Sequence, residues 1–373
     1  MLIKTTDFRI TAPALLFDPE YFVFDFVPDS ELTRFLVVEE EKLKLAPFID
    51  IRFEPVAQGQ FSVSTKELFS LEGMHNIKRP PSVFIFHHAF VCSTLLARCM
   101  NQIDAFFSLK EPWILRRLAD LKRARGHVIP GAQWRETFTC YLNLLAKNYR
   151  TGATPLIKVT NVANNLMVDV LRYFPDQKIL YLYSDLESFL VSNLKKPPDT
   201  QKKMPGLAAV FLSDGDFAQR FPRFSDVNRL SFLQVCALIW LVNLYNFRRS
   251  AEKFNPAKVK TLEMNDFLTD MGRSLTSLSN FFGYKAAPAE IESMLDPGII
   301  KRDAKHQQVP YGRQSKQAEA AQVLGNYSIE IKRTINWINP LLEQMAVLEY
   351  CEGNQFRLDR ALGKIGGIKK KGR

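Results

Sequence analysis

A chain of 373 residues with 46% hydrophobic content, including 29 Phe and 11 Tyr, has the material for one large α/β domain with attachments or for two modest domains. This excludes a low-hydrophobicity, intrinsically disordered polymer. Its 50 Lys+Arg against 39 Asp+Glu leave a formal charge of +11, which in general points to an anionic partner. Seven basic residues and one acid fall between Arg357 and Arg373, so +6 sits in a Gly-punctuated tail and only +5 in the rest. That tail, taken as 351–373, reads as a solvated terminus, and nucleic acid is not expected as a partner.

Cys92, Cys99, Cys140, Cys236 and Cys351 are odd in number and scattered. They suggest neither a disulfide framework nor a zinc site, and a reducing, cytoplasmic setting is expected, with no metal. The start Met1-Leu2-Ile3-Lys4 lacks the basic-then-apolar order of a signal peptide. No apolar run approaches the roughly 20 residues of a membrane span. The greasiest stretch, Val235 to Val242, reads as a buried helix.

In chain order, residues 1–78 read as an N-terminal attachment, with a helix-favouring charged run from Asp29 to Lys44 and a boundary at Lys78-Arg79-Pro80-Pro81. The main domain is expected over 79–350. Val83-Phe84-Ile85-Phe86 is rich in β-formers and predicts a buried strand, followed by a turn and a helix from Ser93 to about Gln102. Phe106–Leu109 predicts a second strand, with a polar, Arg-rich helical region beyond Pro112; Pro155–Val159 predicts a third and Lys178–Tyr183 a fourth. Helical spacing appears over Val162–Tyr173 and Leu186–Leu194. Lys195 to Arg229 reads as a long loop or lid, Val259–Leu262 as a last strand, Asp266–Phe282 as a helix closed by Gly283, and Ala318–Glu349 as one or two helices. Strands alternating with helices predict an α/β fold, a parallel sheet covered by helices in three layers, with ligands at the carboxyl ends of the strands.

The chemistry concentrates in Phe84-Ile85-Phe86-His87-His88-Ala89-Phe90-Val91-Cys92-Ser93-Thr94-Leu95-Leu96. A helix start offers unpaired N–H groups and the positive end of the helix dipole, and two hydroxyls beside it make an anion pocket. The run has no G-x-x-x-x-G-K-[ST] pattern, so an ordinary ATP or GTP loop is not indicated. The plainer alternative is a Ser or Thr helix cap without a ligand.

This region resembles the P-loop sulfotransferase family, in which P-[RK]-S-G-[ST]-[ST]-L follows a strand; Ala89–Leu95 occupies those places. Further landmarks are similar. Phe107-Ser108-Leu109-Lys110-Glu111-Pro112 resembles the family's [RG]-E-[PE] element, and Leu156-Ile157-Lys158-Val159-Thr160 resembles its strand ending in K-[TD]-P. Phe174 to Ser192 resembles F-P-D-A-K-x-I-x-L-x-R-D-P-R-D-x-x-x-S, and Lys258 to Tyr284 its later strand, helix and Phe-Leu-Gly ending. The similarity covers about residues 80–285, with Lys305–Arg313 as a candidate C-terminal nucleotide loop, and is that of a divergent bacterial branch.

The resemblance implies a donor, 3′-phosphoadenosine 5′-phosphosulfate (PAPS), and an acceptor that is a small molecule or carbohydrate with a hydroxyl or amine. It places His87, Phe90, Val91, Cys92, Ser93, Thr94 and Leu95 around the 5′-phosphosulfate, and Ser184 and Ser192 near the 3′-phosphate. It makes Glu111 the general base, with Lys158 as a further catalytic candidate; His87 and His88 alternate across the strand end, so at most one faces the cleft, and His88 is a catalytic candidate on that ground. Phe90 stands where the family has Arg or Lys, Cys92 replaces a glycine, and Ser184 replaces an Arg. Arg98, Lys195 and Lys196 are the nearby cations that could stand in. The alternatives are a non-catalytic nucleotide- or phosphate-binding protein on the same fold, or an atypical phosphotransferase.

Overall fold

The computed structural model describes residues 2–4, 9–75, 79, 81–149, 152–224, 226–301 and 313–356. The basic tail from 357 and nearly all of Lys305–Arg313 lie outside them. Strands β1 (Leu2–Lys4) and β2 (Arg9–Thr11) form an antiparallel pair; β3 (Tyr21–Val27), β4 (Leu32–Val37) and β5 (Gly59–Ser64) form an antiparallel sheet in that order. The third sheet holds β6 (Val83–His87), β7 (Phe106–Lys110), β8 (Thr154–Lys158), β9 (Lys178–Tyr183) and β10 (Val259–Glu263) in the order β10-β9-β6-β8-β7, all parallel.

Every residue of β6 is buried, as a central parallel strand requires. Its side chains alternate between two cores. Phe84 and Phe86 join Ile157, Ile179 and Tyr181 on one face, while Val83 and Ile85 join Leu156, Leu180 and Leu182 on the other. The first core takes the helix Phe232–Ala251, whose buried residues include the whole of the greasy stretch Val235 to Val242. The second takes the helix Ser93–Met100 through Leu96, Ala97 and Met100. This is the expected α/β arrangement, a parallel sheet between helical layers.

From β6 the chain moves to one side for β7 and β8, then crosses to the other for β9 and β10. The direction reverses beside β6. In open α/β sheets the crevice at such a reversal, outside the carboxyl ends of the strands, is where ligands bind.

Three sequence expectations change. The charged run from Asp29 to Lys44 contains strand β4, and its only α-helix is Glu40–Leu45. Leu32 to Val37 pairs on both sides and buries Thr33, Phe35 and Leu36, so packing overrides the charge pattern. Lys195 to Arg229 is not a long loop: it contains the helices Pro198–Gln201, Met204–Leu212 and Phe217–Arg220. Met204, Ala208, Phe211 and Leu212 are buried there, and the middle helix packs against Phe232–Ala251. The tail expected from 351 begins inside a helix, Val347–Gly353, with Cys351 buried and its carbonyl accepting from the Thr261 hydroxyl of β10 at 2.5 Å.

The N-terminal segment shares a core with the helix Gly131–Leu145 and the residues just after it. Phe26 stacks on Tyr141 at 5.2 Å, Thr33 and Tyr141 share a hydrogen bond of 2.8 Å, and the buried Lys147 ammonium donates to the carbonyls of Leu15, Asp18 and Tyr21 at 2.8, 2.9 and 2.6 Å. No helix among the described residues is long and apolar enough to cross a membrane.

Candidate active site at the carboxyl edge of the parallel sheet

Six of the predicted site residues lie at or just beyond the carboxyl ends of four adjacent strands: His87 closing β6 and His88 after it, Glu111 after β7, Lys158 closing β8, and Ser184 after β9, with Ser93 opening the helix beyond β6. Five non-glycine residues have positive φ among those described, and three belong here: Phe90 at 66°, Cys92 at 59° and Glu111 at 57°. Such backbone conformations persist only where surrounding structure enforces them, and they concentrate at functional sites.

The turn after β6 is built for a close approach. Cys92 is the residue before the first helical turn, in the left-handed region, and its side chain does not cap the helix. Ser93 and Thr94 therefore occupy the first two helical positions, both buried. They are not the cap residues of the plainer reading. The first-turn N–H groups, from Ser93 to Leu95, point out of the helix start, where the dipole favours an anion. Val91 and Leu95 pack into the core beneath.

His88 is fully buried and both ring nitrogens are engaged. Nδ1 pairs with the Ala89 carbonyl at 2.8 Å, and Nε2 accepts from the backbone N–H of Ser184 at 2.9 Å. The carbonyl can only accept, so the proton sits on Nδ1 and the ring is neutral. Burial lowers its pKa to about 4. No ring nitrogen is left for a substrate, so the geometry makes His88 a strut between the turns after β6 and β9, a correction to its place among the catalytic candidates. Ser184 is equally committed, for its carbonyl accepts from the Trp240 indole at 2.8 Å and its hydroxyl donates to the Asp185 carbonyl at 3.2 Å. His87 is also buried, with Nδ1 donating to the His88 carbonyl at 2.7 Å.

The helix Leu186–Leu194 starts at Asp185, which caps it by accepting from the Ser188 N–H at 2.8 Å. Phe189 on this helix touches both sides of the turn, His88 edge-on at 5.1 Å and Phe90 at 5.9 Å. Just past the helix, the Lys196 ammonium lies 4.7 Å from the Phe90 ring centroid. Ser192, half-buried, falls between Phe189 and Lys196 at the spacing that keeps residues on one helix face. A cation thus stands over the place where the sequence has Phe. Lys195 is turned to Glu319 at 2.8 Å.

Glu111 and Lys158 form an ion pair, Lys158 almost wholly buried and Glu111 partly open. The N-terminal segment holds the turn that carries Glu111. The Ile49 N–H donates to the Lys110 carbonyl at 2.7 Å and the Trp113 N–H to the Ile49 carbonyl at 2.9 Å, while Phe48 lies under the Lys158 ammonium at 5.7 Å. Strand alternation puts Lys158 on the face of Leu156, the face covered by the helix Ser93–Met100. β8 lies between β6 and β7, so Lys158 ends the strand between the one that leads into this helix and the one that leads to Glu111.

Sequence reasoning missed Ile49 and Phe48, which no local pattern links to a strand end sixty residues away. It also missed Asn164, whose side-chain N–H donates to the His87 carbonyl at 3.0 Å; the polar pair Asn164-Asn165 soon after a predicted strand end was the available signal. Trp240, read as core, is core and also positions Ser184.

No protein-family profile matches the chain, and no curated protein matches it. Among solved structures, it is similar to the sulfotransferase domain from the curacin biosynthetic pathway, at 11% identity and TM-score 0.41, over 67% of this chain and 99% of that one. It is also similar to a sulfotransferase from Mycobacterium avium, at 10% identity and TM-score 0.38, over 69% and 81%. A third is a mouse sulfotransferase complexed with PAP, at 11% identity and TM-score 0.34, over 78% and 96%. What this chain's site can do is set by its own residues.

Proposed function

We propose that the chain is a sulfotransferase that moves a sulfuryl group from PAPS to the hydroxyl or amine of a small acceptor. The observation that carries this reading is the ion-paired Glu111–Lys158 standing one strand from a helix start whose hydroxyls are not spent on capping. In the proposed reaction the acceptor oxygen or nitrogen attacks sulfur, the bond from sulfur to the 5′-phosphate oxygen breaks, and 3′-phosphoadenosine 5′-phosphate leaves. Glu111 takes the acceptor's proton, and Lys158 offsets charge growing on the sulfuryl or departing phosphate oxygens. Ser93, Thr94 and the first-turn N–H groups hold the 5′ end of the donor. Lys196 supplies the cation that the sequence lacks at Phe90 and Ser184, on the 3′-phosphate side with Ser192.

Calorimetric titration with 3′-phosphoadenosine 5′-phosphate, in wild type and Ser93→Ala and against 5′-AMP, tests the donor site. Binding that prefers the 3′-phosphate and weakens in the variant supports the reading; equal binding of 5′-AMP, or none of either, rejects it. A non-catalytic nucleotide-binding protein is the second reading, favoured by Phe90 and Ser184 at positions where cations are expected. It requires that Glu111→Gln change no turnover.

A further inference from the structure

Strand β10 closes the parallel sheet on one side. The Ile179 N–H of β9 donates to the Lys258 carbonyl at 2.8 Å, so Lys260 and Leu262 turn their backbone groups inward, and Val259, Thr261 and Glu263 turn theirs to the outer edge. Among the described residues one bridge meets that edge: Thr261 lies beside Gln355, in parallel, and its N–H donates to the Asn354 carbonyl at 3.1 Å. Gln355 is anchored there, its side-chain N–H groups donating to the Tyr183 hydroxyl at 2.9 Å and to Asp266 Oδ2 at 3.4 Å, and Phe356 packs edge-on against Phe281 at 5.3 Å. At Phe356, the last described residue, the chain is thus running alongside β10 toward the carboxyl end of the sheet. An open strand edge is a template for pairing with a further segment.

This corner of the sheet is acidic. Glu263 closes β10, Asp185 follows β9, and Asp266 lies on the helix Met264–Thr269. Among the described residues their hydrogen-bond partners are backbone N–H groups and neutral amides rather than cations. The Asn265 amide joins two of them, donating to Asp185 Oδ2 at 3.0 Å and to Glu263 Oε1 at 3.4 Å. Burial, reinforced by the charges of Asp185 and Asp266, raises the Glu263 pKa to about 7, the mark of a carboxylate short of a cation. Beyond Phe356 the sequence carries the opposite charge, seven basic residues and one acid from Arg357 to Arg373.

We propose that the outer edge of β10 and its carboxylates are the docking surface for the chain's own C-terminal segment, beginning at Arg357. The Thr261–Gln355 register, carried two residues on, sets Arg357 beside Glu263 and on the same face of the strand as Gln355. The Glu263 N–H then donates to the Phe356 carbonyl, Arg357 pairs with the Glu263 carboxylate, and the cations that follow offset Asp185 and Asp266. Asp185 directly follows Ser184. The docked segment therefore removes negative charge from the edge at which, on the proposed function, an anionic donor binds.

Limited trypsin digestion of the full chain, followed by mass spectrometry, reads docking as the initial rate of cleavage after Arg360. Glu263→Gln and Arg357→Gln are each expected to speed that cleavage about fivefold, and the double variant no more than either alone, as for two residues acting through one contact. Glu263→Gln keeps an oxygen for the N–H groups of Asn265 and Asp266, and Arg357→Gln disturbs none of the contacts that hold Gln355 and Phe356. The same rate in wild type and both single variants, or single effects that multiply in the double variant, would overturn the inference. The digestion needs no nucleotide, so its result is decided apart from the donor reading.

Discussion

Glu111 and Lys158 are held to each other twice: the Lys158 ammonium donates to the Glu111 carboxylate, and the Glu111 backbone N–H donates to the Lys158 carbonyl at 2.7 Å. The second bond belongs to a turn in which Glu111 has φ 57°, so the carboxylate is aimed by backbone that a non-glycine residue seldom adopts. Glu111→Gln keeps the shape and a hydrogen bond to Lys158 but removes the carboxylate that the proposed function uses as base. We expect turnover to fall by about 100-fold or more, with affinity for 3′-phosphoadenosine 5′-phosphate unchanged. Steady-state kinetics together with calorimetry check this, and a variant with wild-type turnover removes Glu111 from the chemistry.

The Lys196 ammonium lies 4.7 Å from the Phe90 ring centroid, and in the proposed function it supplies the cation absent from the turn. Lys196→Ala is expected to weaken 3′-phosphoadenosine 5′-phosphate by about tenfold, in keeping with loss of a charge-assisted contact. The salt dependence of binding should become shallower as well. Equal affinity across a salt series in both proteins would place the 3′-phosphate elsewhere.

His88 makes stability sensitive to acid. Its pKa is depressed by burial to about 4 in the folded chain, against an ordinary 6.5. Above pH 6.5 the ring is neutral in both states. Between pH 6.5 and about 4 the unfolded chain takes up a proton that the folded chain refuses, so stability falls as pH falls through this window and levels off below it. The effect is on the order of 3 kcal/mol. Urea midpoints measured across pH 4 to 7 should show a steeper slope for wild type than for His88→Gln. Parallel slopes would assign the acid sensitivity to other groups.

Cys92 stands in left-handed backbone at φ 59° at the end of the turn. Cys92→Gly removes the Cβ that this conformation penalises, offset by the greater freedom glycine gives the unfolded chain. A net gain of about 0.5 kcal/mol is expected, read as a higher denaturant midpoint. A clear loss would show that packing of the thiol outweighs the backbone term.

Much of the parallel sheet was legible from sequence, because buried parallel strands are near-continuous apolar runs bounded by turns. Val83–Phe86, Lys178–Tyr183 and Val259–Leu262 all appear as strands within a residue of their expected ends. The turn after β6 and the helix opening at Ser93 were legible too, since they lie in consecutive residues from His87 to Leu95. β4 and the helices between Lys195 and Arg229 were not, for they are held by pairing and packing that the local pattern does not show: β3 and β5 for the first, the helix Phe232–Ala251 for the second.

The sequence by itself determined which residue types meet at the carboxyl edge of the sheet: two hydroxyls opening a helix, a glutamate after one strand and a lysine ending the next. Only the tertiary structure decided how they are used. It paired Glu111 with Lys158 through the β7–β8 register, brought Ile49 from the N-terminal segment to hold that turn, consumed both nitrogens of His88 internally, and set Lys196 over Phe90. Local sequence sets backbone preference and chemistry over a few residues. Pairing, burial and the direction a side chain faces depend on elements that meet only after the chain has folded, and they govern whether a polar group remains open to a ligand.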